Sequence, residues 1–229
     1  MIHLFPQWNW PARTPSEGGR EGQVMPVLCY TNCDAVELFL NGKSFGEKRI
    51  EFPRQGNSGA WDRYDKPLVN PTTADLHLEW DVPYEPGTLK AVGKKDGKPV
   101  FTEEVGTTGI PAAIRLRVDR DTLNAGERDV ANVEVGIVDA KGKVVPTADN
   151  LVFFSLKGAG KIIGVDNGDP VDHSRYKADR RRAFNGLCLA VVQSSDKPGL
   201  ITLTATSGDL KGSRIRIAVR NGNPLPALP

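Results

Sequence analysis

The sequence predicts an all-β protein made of two tandem immunoglobulin-like β-sandwich domains. Its 229 residues are too many for one sandwich of this type, which has about 100 residues, and close to the number that two need. Short runs that alternate apolar and polar residues recur along the chain, and no helical period competes with them. Turn residues separate these runs at short intervals, which is typical of such sandwiches.

The clearest element of the first half is a β-hairpin that turns at Asn41-Gly42. Val36, Leu38 and Leu40 are spaced by two, so one face of the strand before the turn is apolar. Asn and Gly can both take the positive φ that a type I′ turn requires. Asp96-Gly97 is a second dipeptide of this kind. We therefore expect two tight hairpins in the first domain.

The other strands of the first half are expected between Val24 and Val105. They are Val24–Tyr30, Lys43–Arg49, a run through Leu76, Leu78 and Trp80, Leu89–Lys95 and Lys98–Val105. Phe52–Thr73 is rich in Gly, Asn, Pro and Asp, which predicts a long loop. The first strand of this sandwich should begin at Val24.

A short segment rich in Gly and Pro, Thr107–Ala113, separates two series of strands. We place the first domain at residues 1–108, the second at 109–221, and a flexible tail at 222–229. The second series has seven runs of strand character, namely 114–118, 133–137, 151–156, 161–165, 187–192, 201–205 and 215–219. The run 187–192 is apolar on both faces, which indicates a central strand.

Composition excludes several classes of partner. Hydrophobic residues make up 39% and charged residues 25%, and no apolar stretch is long enough to span a bilayer, so we expect no membrane insertion. Lys and Arg exceed Asp and Glu by only two, and the charges are interspersed, so we expect no nucleic-acid partner. Arg180–Arg182 forms a cationic cluster, which we interpret as a solvated strand end.

The three cysteines predict neither a disulfide framework nor a metal centre. Cys188 lies far along the chain from Cys29 and Cys33, and an odd number leaves at least one thiol unpaired. Cys29 and Cys33 lack the further Cys or His ligands that a zinc site needs. They are expected to be a small core residue and a turn residue.

No catalytic residue emerges from the sequence. His3, His77 and His173 are far apart, and the neighbours Asp172-His173-Ser174 would direct their side chains apart rather than together. Many Asp and Glu pairs could flank a sugar bond, and nothing selects one of them. We therefore expect no catalytic group and no cofactor.

The segment from Asp166 to Asp172 has two interpretations. Asp166, Asp169 and Asp172 could supply oxygen ligands to calcium, although their spacing is not that of an EF-hand. Alternatively, Asn and Asp side chains capping the backbone, with Gly168 at positive φ, account for the same residues as a series of turns without an ion.

The tryptophans suggest either sugar stacking or burial in cores and interfaces. All four, Trp8, Trp10, Trp61 and Trp80, lie in the first half of the chain. Trp80 continues an apolar strand face and is expected in the core. Trp61 falls in the long loop and is the candidate for contact with a sugar.

Four motifs occur in a characteristic order. They are His3-x-x-Pro6-x-Trp8-Asn9-Trp10; Tyr30-Thr31-Asn32 continuing to Asn41-Gly42-Lys43-Ser44; Trp80-x-Val82-x-Tyr84-x-Pro86-Gly87; and Asn167-Gly168-Asp169-Pro170. In this order they resemble the C-terminal immunoglobulin-like domains of family 2 glycoside hydrolases, notably bacterial β-galactosidases. Asp166 departs from the Gly that is more frequent there, and Cys33 from an Ala.

The resemblance implies a non-catalytic accessory or scaffold region, because the family's catalytic glutamates belong to an upstream barrel. It implies that Leu4, Phe5, Trp8 and Trp10 dock on that barrel, and it suggests a periplasmic or extracellular protein. A homo-oligomer is left open. Two alternatives are a carbohydrate-binding module, which would have carbohydrate as its partner, and a tandem adhesion module of a surface protein.

Overall fold

The computed structural model of the chain describes residues 1–10, 23–49, 76–126 and 128–222. These residues form strands and turns without a helix, which confirms the all-β class. None of them lies in a helix long and apolar enough to cross a membrane. The chain divides into two compact units, Met1–Thr107 and Thr108–Pro229. The expected loop Phe52–Thr73, with Trp61, and residues 223–229 of the expected tail lie outside the described residues.

Unit 1 is a sandwich of two antiparallel sheets. Its strands are β1 (Ile2–Phe5), β2 (Val24–Thr31), β3 (Ala35–Leu40), β4 (Lys43–Arg49), β5 (Leu78–Pro83), β6 (Thr88–Lys95) and β7 (Lys98–Gly106). The sheet orders are β1-β2-β5 and β4-β3-β6-β7. Alternate residues of both sheets, including Val27, Trp80, Leu38 and Leu89, meet in one buried core. Trp80 is therefore a core residue, as its strand pattern predicts.

Both predicted hairpin turns are confirmed. Asn41 has φ 51° and Gly42 has φ 83°, and they join β3 to β4. Asp96 has φ 50° and Gly97 has φ 74°, and they join β6 to β7. Two successive positive φ values are the signature of the type I′ turn, whose twist matches that of the flanking strands.

The expectation that the first strand begins at Val24 was wrong. Residues Ile2–Phe5 form β1, which pairs antiparallel with β2 so that Ile2 faces Thr31 and Leu4 faces Cys29. Ile2 and Leu4 thereby point into the core, where each is at most 5% exposed. A four-residue strand shows only two apolar positions, too few to reveal a period, and its pairing partner lies more than twenty residues away.

Unit 2 is a second sandwich. Its strands are β8 (Ala113–Val118), β9 (Thr122–Ala125), β10 (Val130–Val138), β11 (Leu151–Gly158), β12 (Gly160–Asp166), β13 (Arg180–Arg182), β14 (Leu187–Ser194), β15 (Gly199–Thr206) and β16 (Ser213–Asn221). The sheet orders are β12-β14-β10-β8 and β13-β11-β15-β16-β9. The structure confirms that the strand of residues 187–192 is central, and it adds the short strands β9 and β13 to the seven expected ones.

Candidate functional site

The loop that follows β12 is built from side chains that cap its own backbone. Each accepts a hydrogen bond from an N–H one or two residues further on: Asp166 from Asn167 (2.7 Å) and Gly168 (3.3 Å), Asn167 from Asp169 (3.1 Å), Asp169 from Val171 (3.0 Å), and Asp172 from Ser174 (2.8 Å). Gly168 has φ 73°. This arrangement matches the interpretation of the segment as a series of turns.

Arg181 holds this loop against the sandwich. Its side chain is buried, with 1% of the residue exposed, and Nη1 lies 2.9 Å from the Asp172 carboxylate. Nη2 donates to the Val165 carbonyl at 2.9 Å, and the guanidinium lies 5.1 Å from the centre of the Tyr176 ring. The expectation that Arg180–Arg182 is a solvated strand end was therefore wrong for Arg181.

Strand alternation explains why the middle arginine differs from its neighbours. Arg180–Arg182 is strand β13, which pairs with β11, so its central side chain points to the opposite face from the other two. Arg180 and Arg182 are exposed. A buried guanidinium needs an anionic partner and hydrogen-bond acceptors. The loop supplies the Asp172 carboxylate and the Ser174 carbonyl, and β12 supplies the Val165 carbonyl. The sequence feature that could have indicated this burial is an arginine at the centre of a strand, with the carboxylate of Asp172 nine residues earlier.

The carboxylates proposed as calcium ligands have other partners in the structure. Asp172 accepts hydrogen bonds from Ser174, from Arg181 and from the Asn167 side chain, the last at 2.9 Å. The bonds from Ser174, followed by that from Arg181, hold the pKa of Asp172 well below its usual range. Among the described residues, no three His, Cys, Asp or Glu side chains form a group that could hold a metal ion. Asp166, Asp169 and Asp172 therefore do not converge on one point.

The N-terminal segment is clamped to unit 1. Trp8 is fully buried, its Nε1 donates to the Glu85 carbonyl at 2.9 Å, and its ring lies 5.1 Å from that of Tyr84. The Thr107 hydroxyl donates to the Trp8 carbonyl at 2.8 Å, and the Tyr84 hydroxyl donates to the Trp10 carbonyl at 3.2 Å. The segment thus belongs to the packing of the first sandwich.

The expectation that Leu4, Phe5, Trp8 and Trp10 form one docking surface needs correction. Leu4 and Trp8 lie in the core because β1 pairs with β2, and buried side chains cannot contact another domain. Trp10 is partly buried beside that core. Phe5 points the other way and is 45% exposed.

Phe5 belongs to an aromatic cluster on the outer face of the β1-β2-β5 sheet. His3 pairs with Tyr30 across β1 and β2, and the ring of Tyr30 lies 5.7 Å from that of His77. The ring of Phe5 lies 4.5 Å from that of His3 and 5.9 Å from that of Tyr30, both edge to face. We call His3, Phe5, Tyr30 and His77 the outer aromatic face.

A shallow groove lies on the other sheet of unit 1. It has a volume of about 560 Å³, and its lining includes Phe39, Val92, Lys90 and Glu104. Lys90 and Glu104 face each other at 3.7 Å. One aromatic side chain, Phe39, lines this groove.

Among the residues that the structure describes, the displaced pKa values include those of two buried thiols and of hydrogen-bonded carboxylates. Burial raises the pKa of the Cys29 and Cys188 thiols to about 12, so they stay protonated. Hydrogen bonds, first from the Gly109 amide, lower the pKa of Asp139, and those from Ser44 and Lys94 lower that of Glu37.

The two units match known domain families. Residues 114–216 match the family described as glycoside hydrolase family 2 C-terminal domain 5, and residues 22–101 match a domain of unknown function, DUF4982. The β-galactosidase BoGH2A of Bacteroides ovatus is 44% identical over 95% of this chain, and a putative β-glucuronidase of Formosa agariphila is 32% identical over 91%. A crystal structure of a β-glycosidase from Bacteroides vulgatus superposes with a TM-score of 0.78 at 33% identity, covering 95% of this chain and 24% of that one.

Together, the matches and the two sandwiches identify the chain as a C-terminal β-sandwich region of the kind found in larger glycoside hydrolases. The chain belongs to glycoside hydrolase family 2, whose C-terminal immunoglobulin-like domains it contains. The chain spans about a fifth of the length of the two relatives named above, 22% of the first and 18% of the second.

Proposed function

We propose that the chain is the non-catalytic accessory region of a β-galactosidase-like glycoside hydrolase and that it supports an upstream catalytic domain. The observation that carries the proposal is that the two sandwiches together match about a fifth of the length of BoGH2A. The second sandwich also matches a family described as a C-terminal domain. The lowered carboxyl pKa values and buried thiols support a structural role. The similarity to BoGH2A favours β-galactosides as the substrate of the whole protein.

The proposal is tested by assaying two purified proteins on nitrophenyl β-galactoside and β-glucuronide. One is the 229-residue chain, and the other is the product of the full reading frame that contains it. We expect turnover of the β-galactoside from the full product and none from the chain. Turnover that co-purifies with the chain and is lost on replacing a carboxylate within it would contradict the proposal.

A carbohydrate-binding module is the competing function, and titration calorimetry of the chain with galacto-oligosaccharides separates it from the proposed one. Binding that is lost in Phe39→Ala would assign the groove on unit 1 to sugar, because stacking on this ring would be its main apolar contact. If titration with millimolar galacto-oligosaccharide gives no heat of binding, the result favours the accessory role.

A further inference from the structure

The five-stranded sheet of unit 2 gathers cations from distant parts of the sequence on its outer side. Side chains alternate along each strand, and residues that face each other in the register share a side. The outer side has two residues on β13, four each on β11, β15 and β16, and two on β9, and none of them is Asp or Glu. Its exposed cations are Lys157, Arg180, Arg182, Arg214, Arg216 and Arg220. We call this side the basic face.

Three carboxylates stand in the chain beside the basic face, and one of them pairs with a cation of the face. Asp121, Asp149 and Asp179 each precede a strand of the sheet by one or two residues. Among the described residues, Arg182 is the one cation of the face with an ion pair, at 3.6 Å from Asp149. Residues 108–229 contain eighteen Lys and Arg and thirteen Asp and Glu, a larger excess of cations than the total of two in the chain. Cations gathered without counter-charges create a positive potential that attracts anions.

Hydroxyl groups and an aromatic ring lie among these cations. Three rows of residues face one another across the strands: Lys157, Thr202 and Arg216; Ser155, Thr204 and Arg214; and Arg180, Phe153 and Thr206. Neighbouring strands are about 4.8 Å apart, so each row places cations close to a hydroxyl. The ring of Phe153 is 43% exposed. Guanidinium groups bind planar anions through paired hydrogen bonds, and hydroxyls both donate and accept them.

We propose that the basic face binds an anionic polysaccharide, a glycan chain whose sugars carry carboxylate or sulfate groups beside free hydroxyls. The cations bind the anionic groups, the Ser and Thr side chains bind sugar hydroxyls, and Phe153 stacks on the apolar side of a sugar ring. The inference goes beyond the proposed function and does not depend on it, because this surface lies wholly on unit 2.

The composition of the basic face disfavours nucleic acid and a second copy of the chain as its ligand. Proteins that bind single strands stack successive bases on several aromatic side chains, whereas Phe153 is the one aromatic residue of this face. Duplex DNA is read by a helix or a two-stranded ribbon that enters a groove, and the basic face is a five-stranded sheet. A symmetric dimer through this face would place cations against cations.

The first test measures binding of the 229-residue chain to immobilised polysaccharides by biolayer interferometry. The probes are a sulfated galactan and polygalacturonate, with neutral galactan as the control. We expect the chain to bind an anionic polymer and not the neutral one. The association constant should fall about tenfold or more between about 50 and about 200 mM salt, because cations that bind a polyanion release its counterions.

The second test removes charge from the face. Arg180→Gln/Arg214→Gln/Arg216→Gln should weaken binding about tenfold or more at constant salt. Arg117→Gln/Lys143→Gln/Lys161→Gln is the matched control, because it removes the same charge from exposed positions of unit 2 outside the face, and its binding should stay close to the parent's. All six side chains are exposed, so both variants should melt close to the parent.

Binding to either anionic polymer supports the proposal and identifies the anionic group. Failure to bind both polymers, equal binding to the neutral galactan, or equal losses in the two variants would overturn it. Tighter binding to a short DNA duplex or to vesicles of anionic lipid would overturn it as well and assign the face to that ligand. The salt dependence of the parent is measured without any substitution, so it tests the proposal even if a variant unfolds.

Discussion

Residues 6–10 of unit 1 and the loop after β12 in unit 2 are both irregular, but different kinds of side chain hold them in place. Trp8 anchors the first by burying a large ring whose single polar atom meets the Glu85 carbonyl. Arg181 anchors the second by burying a cation between Asp172 and the Val165 carbonyl. The apolar anchor gains stability from the surface it removes from water, whereas the charged one depends on keeping its partners.

This difference teaches that the two anchors should respond differently to substitution. A smaller apolar side chain in place of Trp8 leaves a cavity, and the loss in the free energy of unfolding grows with the volume of that cavity. A neutral side chain in place of Arg181 leaves the Asp172 carboxylate without its partner. The loss in the free energy of unfolding therefore depends on whether Asp172 is replaced as well. The following predictions separate the two cases.

The largest effect is expected from Trp8→Ala, which should lower the free energy of unfolding of unit 1 by about 3–5 kcal/mol. The reason is the fully buried indole and the hydrogen bond it donates. Urea unfolding followed by circular dichroism measures it. Phe5→Ala in the adjoining strand β1 is the control, since Phe5 is exposed and its truncation should lower the free energy of unfolding far less. Equal losses would mean that the segment is not packed as described.

Arg181→Met should lower the melting temperature of unit 2 by on the order of 10 °C, because it leaves Asp172 without its ion pair. Arg181→Met/Asp172→Leu should recover part of that loss. Arg182→Met is the matched control: its side chain is 58% exposed and lies 3.6 Å from an exposed Asp149. It should change the melting temperature little. Similar effects at both arginines would show that Arg181 is not buried.

Acid should remove the stabilisation that Asp172 contributes. Its pKa is lower in the folded chain than in the unfolded one, mainly because Ser174 and then Arg181 bond the charged form. The contribution is therefore complete above the ordinary carboxyl pKa of about 4 and is lost as the pH falls further. Unfolding of parent and Asp172→Asn, measured between neutral pH and about pH 2.5, should show a difference that shrinks below about pH 4. A difference independent of pH would contradict the ion pair.

The smallest effect is expected from Gly168→Ala, at about 1 kcal/mol, because residue 168 has φ 73° while a Cβ there would meet no atom within 4 Å. Gly164→Ala is the control, since its φ is not positive and its nearest contact would be 3.9 Å away. Calcium should leave the melting temperature of the parent unchanged. A calcium-dependent rise that Asp169→Ala abolishes would restore the cation site.

The sequence by itself determined the all-β class, both hairpins and most strands. These features are local: two-residue alternation and the positive φ of Asn41-Gly42 and Asp96-Gly97 are properties of neighbouring residues. The ordered motifs were likewise sufficient to indicate glycoside hydrolase family 2, which the comparisons then showed.

Tertiary structure decided what each side chain faces. Strand β1 exists because β2 supplies its hydrogen bonds from more than twenty residues away. The Asn41 side chain, beyond forming its turn, accepts from the Thr88 amide at 3.0 Å and donates to the Pro86 carbonyl at 3.2 Å. Arg181 and Trp8 looked like surface residues because their partners, Asp172 and Tyr84, are brought to them only by folding. Burial depends on contacts that form only when segments fold together, and the alternation of residues along one strand does not specify which segments meet.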